Sequence, residues 1–340
     1  YYIFQSAQDG VMNLWATRET GDLRYTVSRE PMRLTVGQMS AQAPLPSKDG
    51  KRIYFIGSTR RGELVRYDRK ARSFSPFLPG LSAEGIAFDK DSQRVAYVSF
   101  PEGILWQSKP DGSDRHELTF PPMEVGLPRW SPDGKQIAFA GRPPGKLWKI
   151  YVVPAEGGVP VQLTSGDGDD LDPSWSRDGD SLAFALLPQE ARDSKSNAIH
   201  ILDMKTRQVS DVPDSAGLFS PRWSPDGGNL LALSADYQKL MVYDFAQRKW
   251  APLASMEADY PNWSHDGKCV YFNETDDKKL PVYRVCLSDR KPEHIVDLAD
   301  AGALAMGRFG WWTGLAPDDS ILALRDISIE EIYALETKFP

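Results

Sequence analysis

A chain of 340 residues, 41% hydrophobic and 26% charged, is long enough to bury a substantial core and has the composition of a soluble protein. A net charge of -7 and an isoelectric point near 5.3 leave no basic stripe, which argues against a nucleic-acid partner. No run nears the ~18 consecutive apolar residues of a membrane helix, so no membrane insertion is expected within the chain.

The chain opens inside a strand. Tyr1–Ser6, Asn13–Arg18 and Met32–Thr35 read as the second, third and fourth strands (B, C and D) of a unit whose strand A would precede Tyr1. With neither initiator Met nor signal peptide at its start, the chain is expected to be a fragment of something longer. From there one phrase recurs: Pro-x-Trp-Ser-Pro-Asp-Gly followed by an apolar strand. It is weak at Pro44 (PLPSKDGKRIYF) and degenerate at Gly85 (GIAFDKDSQRVAYV). It is clear at Pro128 (PRWSPDGKQIAF), Pro173 (PSWSRDGDSLAF), Pro221 (PRWSPDGGNLLAL) and Pro261 (PNWSHDGKCVYF), then degenerate again at Thr313 (TGLAPDDSILAL). The turn aspartates are Asp49, Asp91, Asp133, Asp178, Asp226, Asp266 and Asp318. They fall at the ~40–45-residue period of a unit of four strands.

Each unit supplies strand A (the Trp-Ser segment), a type I turn set by Pro, Asp and Gly, and strand B, as at Ile137–Ala140 or Val270–Asn273. Strand C follows, as at Leu64–Tyr67, Ile150–Val153, Ile199–Leu202, Leu240–Tyr243 and Val282–Val285. Strand D often ends in Leu-Thr, as at Leu34-Thr35, Leu118-Thr119 and Leu163-Thr164. Trp311–Leu315, Ile321–Asp326 and Ile332–Leu335 read as A, B and C of a last unit. A lone sheet of this size cannot cover both its faces, and radial stacking covers them. The expected fold is therefore all-β: a single β-propeller over residues 1–340, of four-stranded blades. Six complete and two partial units favour eight blades; seven results if the two ends share one.

The Trp-Ser-Pro-Asp-Gly phrase followed by Ile-Ala-Phe resembles the TolB-like, WD-like propeller repeats of bacteria. GELVRYD (Gly62–Asp68), LTFPPM (Leu118–Met123) and TGLAPDDSILALRDISIEEIYAL resemble one subgroup. In that subgroup the propeller is the C-terminal sensor half of winged-helix regulators or of serine/threonine kinases. The resemblance implies a protein or ligand partner and an extracytoplasmic location, with a cytoplasmic one as the alternative.

Among chemistry-bearing residues, Trp130, Trp175, Trp223 and Trp263 recur at one repeat position and read as inter-blade core. The turn aspartates read as turn chemistry. His116, His200, His265 and His294 fall in different repeats without ligand spacing, which gives no metal site. The run Asp167, Asp169, Asp170 and Asp172 is a weak Ca²⁺ candidate lacking a distal bidentate Glu. No G-x-S-x-G, H-E-x-x-H or phosphate-cradling glycine loop occurs, so no catalysis and no cofactor are expected.

The loops entering strand A place Glu84, Glu124, Asp170, Asp172, Glu257 and Asp259 near one channel mouth, with Arg129 and Arg222 just after the proline. Converging carboxylates focus a negative field, so the expected function is a monomeric binding or sensing module for a protein, a peptide or a small ligand, of cationic character. Amides at Glu124, Asp170 and Asp172 are then expected to weaken binding. Wet acidic loops are the plain alternative. A propeller-type lyase, a hydrolase accessory domain and a pure scaffold are the rival functions. Cys269 and Cys286 lie opposite each other if Asn273 pairs with Val282. A cross-strand disulfide is then open to them, with two free thiols the expectation.

Overall fold

The computed structural model describes residues 1–8, 11–18, 30–37, 39–186, 197–275 and 277–337. Among them are 30 strands and one short 3-10 turn, Leu298–Ala301. No helix among the described residues is long and apolar enough to cross a membrane. Contacts gather the chain into two compact units, Tyr1–Arg61 with Ile327–Pro340, and Gly62–Asp326.

The first unit holds two three-stranded antiparallel sheets. One is Tyr2–Gln8, Val11–Thr17 and Met32–Arg33, the B, C and D strands expected from the sequence. In the other, Arg52–Thr59 is central between Ser40–Pro46 and Ile329–Glu336. Leu14, Ala41, Ile53 and Phe55 form its buried core.

The second unit holds six four-stranded antiparallel sheets, called blades 1 to 6. Blade 1 runs Thr313–Leu315, Ile321–Asp326, Gly62–Asp68, Ser73–Pro76. Blade 2 runs Ala83–Phe88, Val95–Ser99, Leu105–Ser108, His116–Glu117. Blade 3 runs Glu124–Trp130, Gln136–Arg142, Lys149–Pro154, Val161–Gln162. Blade 4 runs Asp170–Trp175, Ser181–Leu186, Ile199–Asp203, Val209–Asp211. Blade 5 runs Leu218–Trp223, Asn229–Ser234, Leu240–Asp244, Lys249–Ala254. Blade 6 runs Asp259–Trp263, Cys269–Asn273, Pro281–Cys286, Glu293–Asp297.

The B strands are apolar at consecutive positions, so each sheet needs a neighbour on both faces. Leu64, Tyr97 and Trp312 join blade 1 to blade 2, and Val98, Trp130 and Phe139 join blade 2 to blade 3. Ala138, Trp175 and Leu182 join 3 to 4, and Ile199, Leu230 and Phe272 run from 4 through 5 to 6. Val65, Val282 and Ile321 return from 6 to 1, so the circuit is closed. Closure falls in blade 1, where Leu322 faces Arg66 and Ala323 faces Val65. Arg66 also pairs with Asp318 at 2.9 Å.

Eight sheets are present among the described residues, but the circuit closes over six of them, so the ring has fewer blades than the eight, or seven, expected. The sheets also do not follow the unit boundaries read from the sequence. Gly62–Asp68 does not continue the sheet of Arg52–Thr59. It pairs with Ile321–Asp326, while Ile329–Glu336 pairs with Arg52–Thr59. Leu64–Tyr67 and Ile332–Leu335 therefore exchange the partners expected for them. Both departures follow two-residue links, Arg60-Arg61 and Ile327-Ser328. Links of that length suit a tight hairpin, so local spacing points to the wrong neighbour.

The recurring phrase acts as a structural tie. In the turns, Ser131, Ser176, Ser224 and Ser264 donate Oγ–H to Asp133, Asp178, Asp226 and Asp266 at 2.5–2.7 Å. The same carboxylates accept backbone N–H groups two residues on. These bonds hold all four below the usual carboxylate range. Trp130, Trp175 and Trp263 each donate Nε1–H to a strand A carbonyl of the preceding blade: Ala87 at 2.9 Å, Arg129 at 3.1 Å and Arg222 at 3.0 Å. Trp223 departs from this; its ring stacks on Phe245 and donates within its own turn, to Gly227. The Leu-Thr ends have their own role, because Thr119 and Thr164 Oγ1 accept the N–H of Leu105 and Ile150, past the end of strand D. Trp175→Phe leaves the Arg129 carbonyl without its donor inside the ring. It should cost about 1–3 kcal/mol in a denaturant titration, with the folded circular dichroism spectrum unchanged.

Cys269 and Cys286 face each other in the register expected, with Asn273 opposite Val282. They are joined by a disulfide, so the expectation of two free thiols is corrected. Adjacent antiparallel strands hold directly opposed residues close enough for the bond without moving either backbone.

Candidate functional site

Strand A of blades 2 to 6 carries an irregularity at the same place, between Glu84 and Ala87, Gly126 and Arg129, Leu171 and Ser174, Phe219 and Arg222, and Asp259 and Asn262. Within each bulge one residue takes a left-handed φ: Gly85, Leu127, Asp172, Ser220 and Tyr260. Proline follows the last four, and since it has no N–H, the broken ladder strands no donor there. A bulge redirects a side chain relative to the pleat. Leu127, Asp172, Ser220 and Tyr260, from four different blades, all line one cavity of about 190 Å³. Leu171, Phe219, Tyr237 and Phe309 add an apolar and aromatic wall, and Arg222 and Asp259 add charge.

Arg222 is buried, and its Nη2 donates to Asp172 Oδ1 at 2.6 Å and its Nη1 to the Pro221 carbonyl at 2.8 Å. Its Nε has no partner among the described residues. Asp259 accepts the Tyr260 N–H at 2.8 Å, and among the described residues no cation lies within 4 Å of its carboxylate. Burial, aided by the charges of Asp172 and Glu257, pushes the Asp259 carboxyl up to about 6, against the opposing pull of the Tyr260 N–H and Arg222. Burial also raises the Tyr237 and Tyr260 hydroxyls, and the nearby carboxylates raise them further. The Tyr260 hydroxyl donates to the Phe309 carbonyl at 2.8 Å.

Of the residues singled out in the sequence, Asp172, Asp259 and Arg222 thus meet in one cavity. The others have commitments elsewhere. Asp170 is buried against Lys149 Nζ at 3.0 Å. Glu124 accepts from Arg142 Nε at 2.8 Å and from Arg308 Nη1 at 2.9 Å. Glu257 accepts the backbone N–H of Thr275 at 2.9 Å as well as its hydroxyl. Glu84 lies beside the Gly307-Arg308 backbone. Amides at Glu124 and Asp170 would therefore unbalance internal cations. Arg129 lines a different cavity.

The weak Ca²⁺ candidate is corrected as well. Asp169 accepts the Trp148 N–H, Asp170 pairs with Lys149, and Asp172 pairs with Arg222, so the run does not converge. No group of three His, Cys, Asp or Glu that could hold a metal occurs among the described residues. His200 and His294 bond to Asp211 and Asp297, each within its own blade. The sequence reading missed Leu127, Phe219, Ser220, Tyr237, Tyr260 and Phe309. For the bulge residues a signal was present, namely the proline that follows each.

Residues 85–186 match the family model described as the TolB beta propeller domain. A TolB-type protein of Agrobacterium tumefaciens has a solved structure with a TM-score of 0.61 at 18% identity, covering 79% of this chain and 99% of that one. The fold is a TolB-like β-propeller. By sequence this TolB-like chain is 30% identical over 208 residues to the uncharacterized peptidase YuxL of Bacillus subtilis (strain 168), covering 56% of this chain and 30% of the relative. It is 25% identical over 169 residues to the Tol-Pal system protein TolB of Francisella tularensis subsp. mediasiatica, covering 48% of this chain and 38% of the relative. The alignments thus span well under half the length of these two curated relatives.

Proposed function

We propose that this TolB-like propeller is a non-catalytic binding module outside the cytoplasm. It takes a cationic group, on a peptide or a small ligand, into the cavity of Asp172, Arg222 and Asp259. The observation that carries this reading is Asp259: a desolvated carboxylate without an ion-pair partner among the described residues, beside an apolar and aromatic wall. Sites of this kind orient a ligand with a few polar groups and hold it by apolar contact. The Cys269–Cys286 disulfide supports an oxidising compartment, and the likeness to TolB proteins agrees with it.

The test uses acetyl-Lys-Ala-Leu-amide and its neutral norleucine counterpart in calorimetric titrations. The lysine peptide should bind at least tenfold tighter than the neutral one, and its affinity should fall between 50 and 300 mM salt as exposed charge is screened. Affinity should also drop below pH 6, where Asp259 takes a proton. Asp259→Asn should remove both the preference for lysine and the pH dependence. Equal binding of the two peptides at all salt concentrations would overturn the reading.

A second reading rests on the YuxL match: the propeller half of a peptidase-type protein, with the chemistry in another domain. It agrees with the first in expecting no turnover from this chain alone. Peptide hydrolysis by the isolated chain would count against both.

A further inference from the structure

A second cavity within the second unit, about 430 Å³, is lined by the Trp-Ser turns and by strand A residues just past the bulges. Trp130, Trp223 and Trp263 stand in its wall, with Pro132, Pro225 and Pro317 beside them. These side chains give it rigid apolar sides. The indole N–H groups are spent on backbone carbonyls, so the rings offer faces and edges but no free donor.

Arg129 also lines this cavity and carries its unspent polarity. Its Nη1 donates to the carbonyl of Pro128 at 2.9 Å, and among the described residues the guanidinium makes no other hydrogen bond. No carboxylate among those residues lies within 4 Å of it. Surrounding protein desolvates the group and Arg222 repels it, against the weaker attraction of Asp172 beyond ion-pair distance, which pushes its pKa down to about 9 and still leaves it charged at neutral pH. An enclosed cation without a counterion is costly to keep, and a fold evolved for stability alone would replace it by a hydrocarbon side chain. The cavity's two carboxylates do not offset it. Asp89 is held by Arg94 at 3.1 Å, and Asp319 accepts the backbone N–H of His265 at 2.7 Å. At the rim, Lys90 is exposed and adds a further positive charge.

We propose that this second cavity is a carboxylate-binding site, in which Arg129 receives the terminal carboxylate of an extended peptide whose apolar residues lie along the tryptophan and proline walls. A guanidinium presents a planar fork of donors that matches a carboxylate, and its uncommitted N–H groups have no acceptor among the described residues. The site shares no lining residue with the Asp259 cavity, and its unpaired group is a cation, although Arg222 and Asp172 of that cavity act on it through space. Its ligand is therefore the opposite one, an anion rather than a cation.

The probe is N-acetyl-Leu-Ala-Leu, titrated as the free acid and as its C-terminal amide. Binding is read by quenching of tryptophan fluorescence and by calorimetry. The acid should bind at least tenfold tighter than the amide to the unmodified chain. Arg129→Met should bring the acid down to the level of the amide, and Arg129→Lys should keep part of the preference. Asp259→Asn, in the other cavity, should leave it unchanged. If Arg129 serves only to brace the Pro128 carbonyl, Arg129→Met will melt earlier and leave the acid's affinity as it was. That result, or equal binding of acid and amide to the unmodified chain, overturns the proposal. The comparison of acid with amide needs no variant, so a misfolded Arg129→Met would not shelter the idea.

Discussion

Asp259→Asn should make the protein more stable at pH 7, by up to about 3 kcal/mol. A carboxyl that titrates at about 6 in the fold and at 3.8 when free binds its proton more tightly in the folded chain. Between those two values the folded state carries more protons than the unfolded state, so stability falls as pH rises from about 4 through about 6. About two pH units at about 1.4 kcal/mol each set the size of the loss. An amide can still accept the Tyr260 N–H and has no charge to desolvate, so the variant should lack this part of the pH slope. Urea titrations of both proteins at pH 4, 5, 6 and 7.5 decide it. A difference between variant and wild type that does not grow as pH rises from 4 to 7.5, or a variant no more stable at pH 7.5, would sink the assignment of Asp259 as a strained carboxylate.

The second large effect concerns the disulfide. Cys269 and Cys286 are 17 positions apart, and their bond closes the loop between them. In the chain-entropy account, a cross-link of that span stabilises a fold by about 3 kcal/mol, mainly by restricting the unfolded chain. Cys269→Ser with Cys286→Ser, or reduction of the unmodified protein, should therefore lower the denaturation midpoint by that equivalent. Blade 6 should keep its strand pairing, because Val270, Phe272 and Val285 are buried in the apolar cluster shared with blades 4 and 5. Titration of thiols in the unfolded, unreduced chain should find none.

What the sequence disclosed followed from what is local. The turn aspartates, the tryptophan position and the Cys269–Cys286 register all lie within a single unit, where period and turn chemistry act directly. The channel-facing residues were harder to see, for two reasons. A bulge shifts the alternation by one, so Tyr260 and Leu127 sit where a regular strand would aim them elsewhere. The cations that balance the acidic loops also come from afar, and Arg308 reaches Glu124 across 184 positions of sequence. A composition of nearby acids therefore suggested a field stronger than the folded mouth retains. The exchange of Gly62–Asp68 and Ile329–Glu336 was hidden for a related reason. Two strands of the same class, each after a two-residue link, are interchangeable until the rest of the ring selects between them.

The closing blade also fixes an order in time. Gly62–Asp68 is among the first strands of its unit to leave the ribosome, yet its partner Ile321–Asp326 is the last. Arg325 and Glu63, which meet across that seam, are 262 positions apart. During synthesis blades 2 to 6 can each pair within themselves, while the early strand waits with an unpaired edge. Such an edge is a template for the wrong neighbour, and a nascent chain exposes it for as long as the remaining blades take to emerge. Closing so long a span adds only slowly to the entropic cost, so the penalty of this design lies in delay rather than in final stability. In the second unit, a chain stopped before residue 321 would carry five finished sheets and one half-made, and it should be captured by chaperones or proteases that a chain released beyond residue 336 escapes.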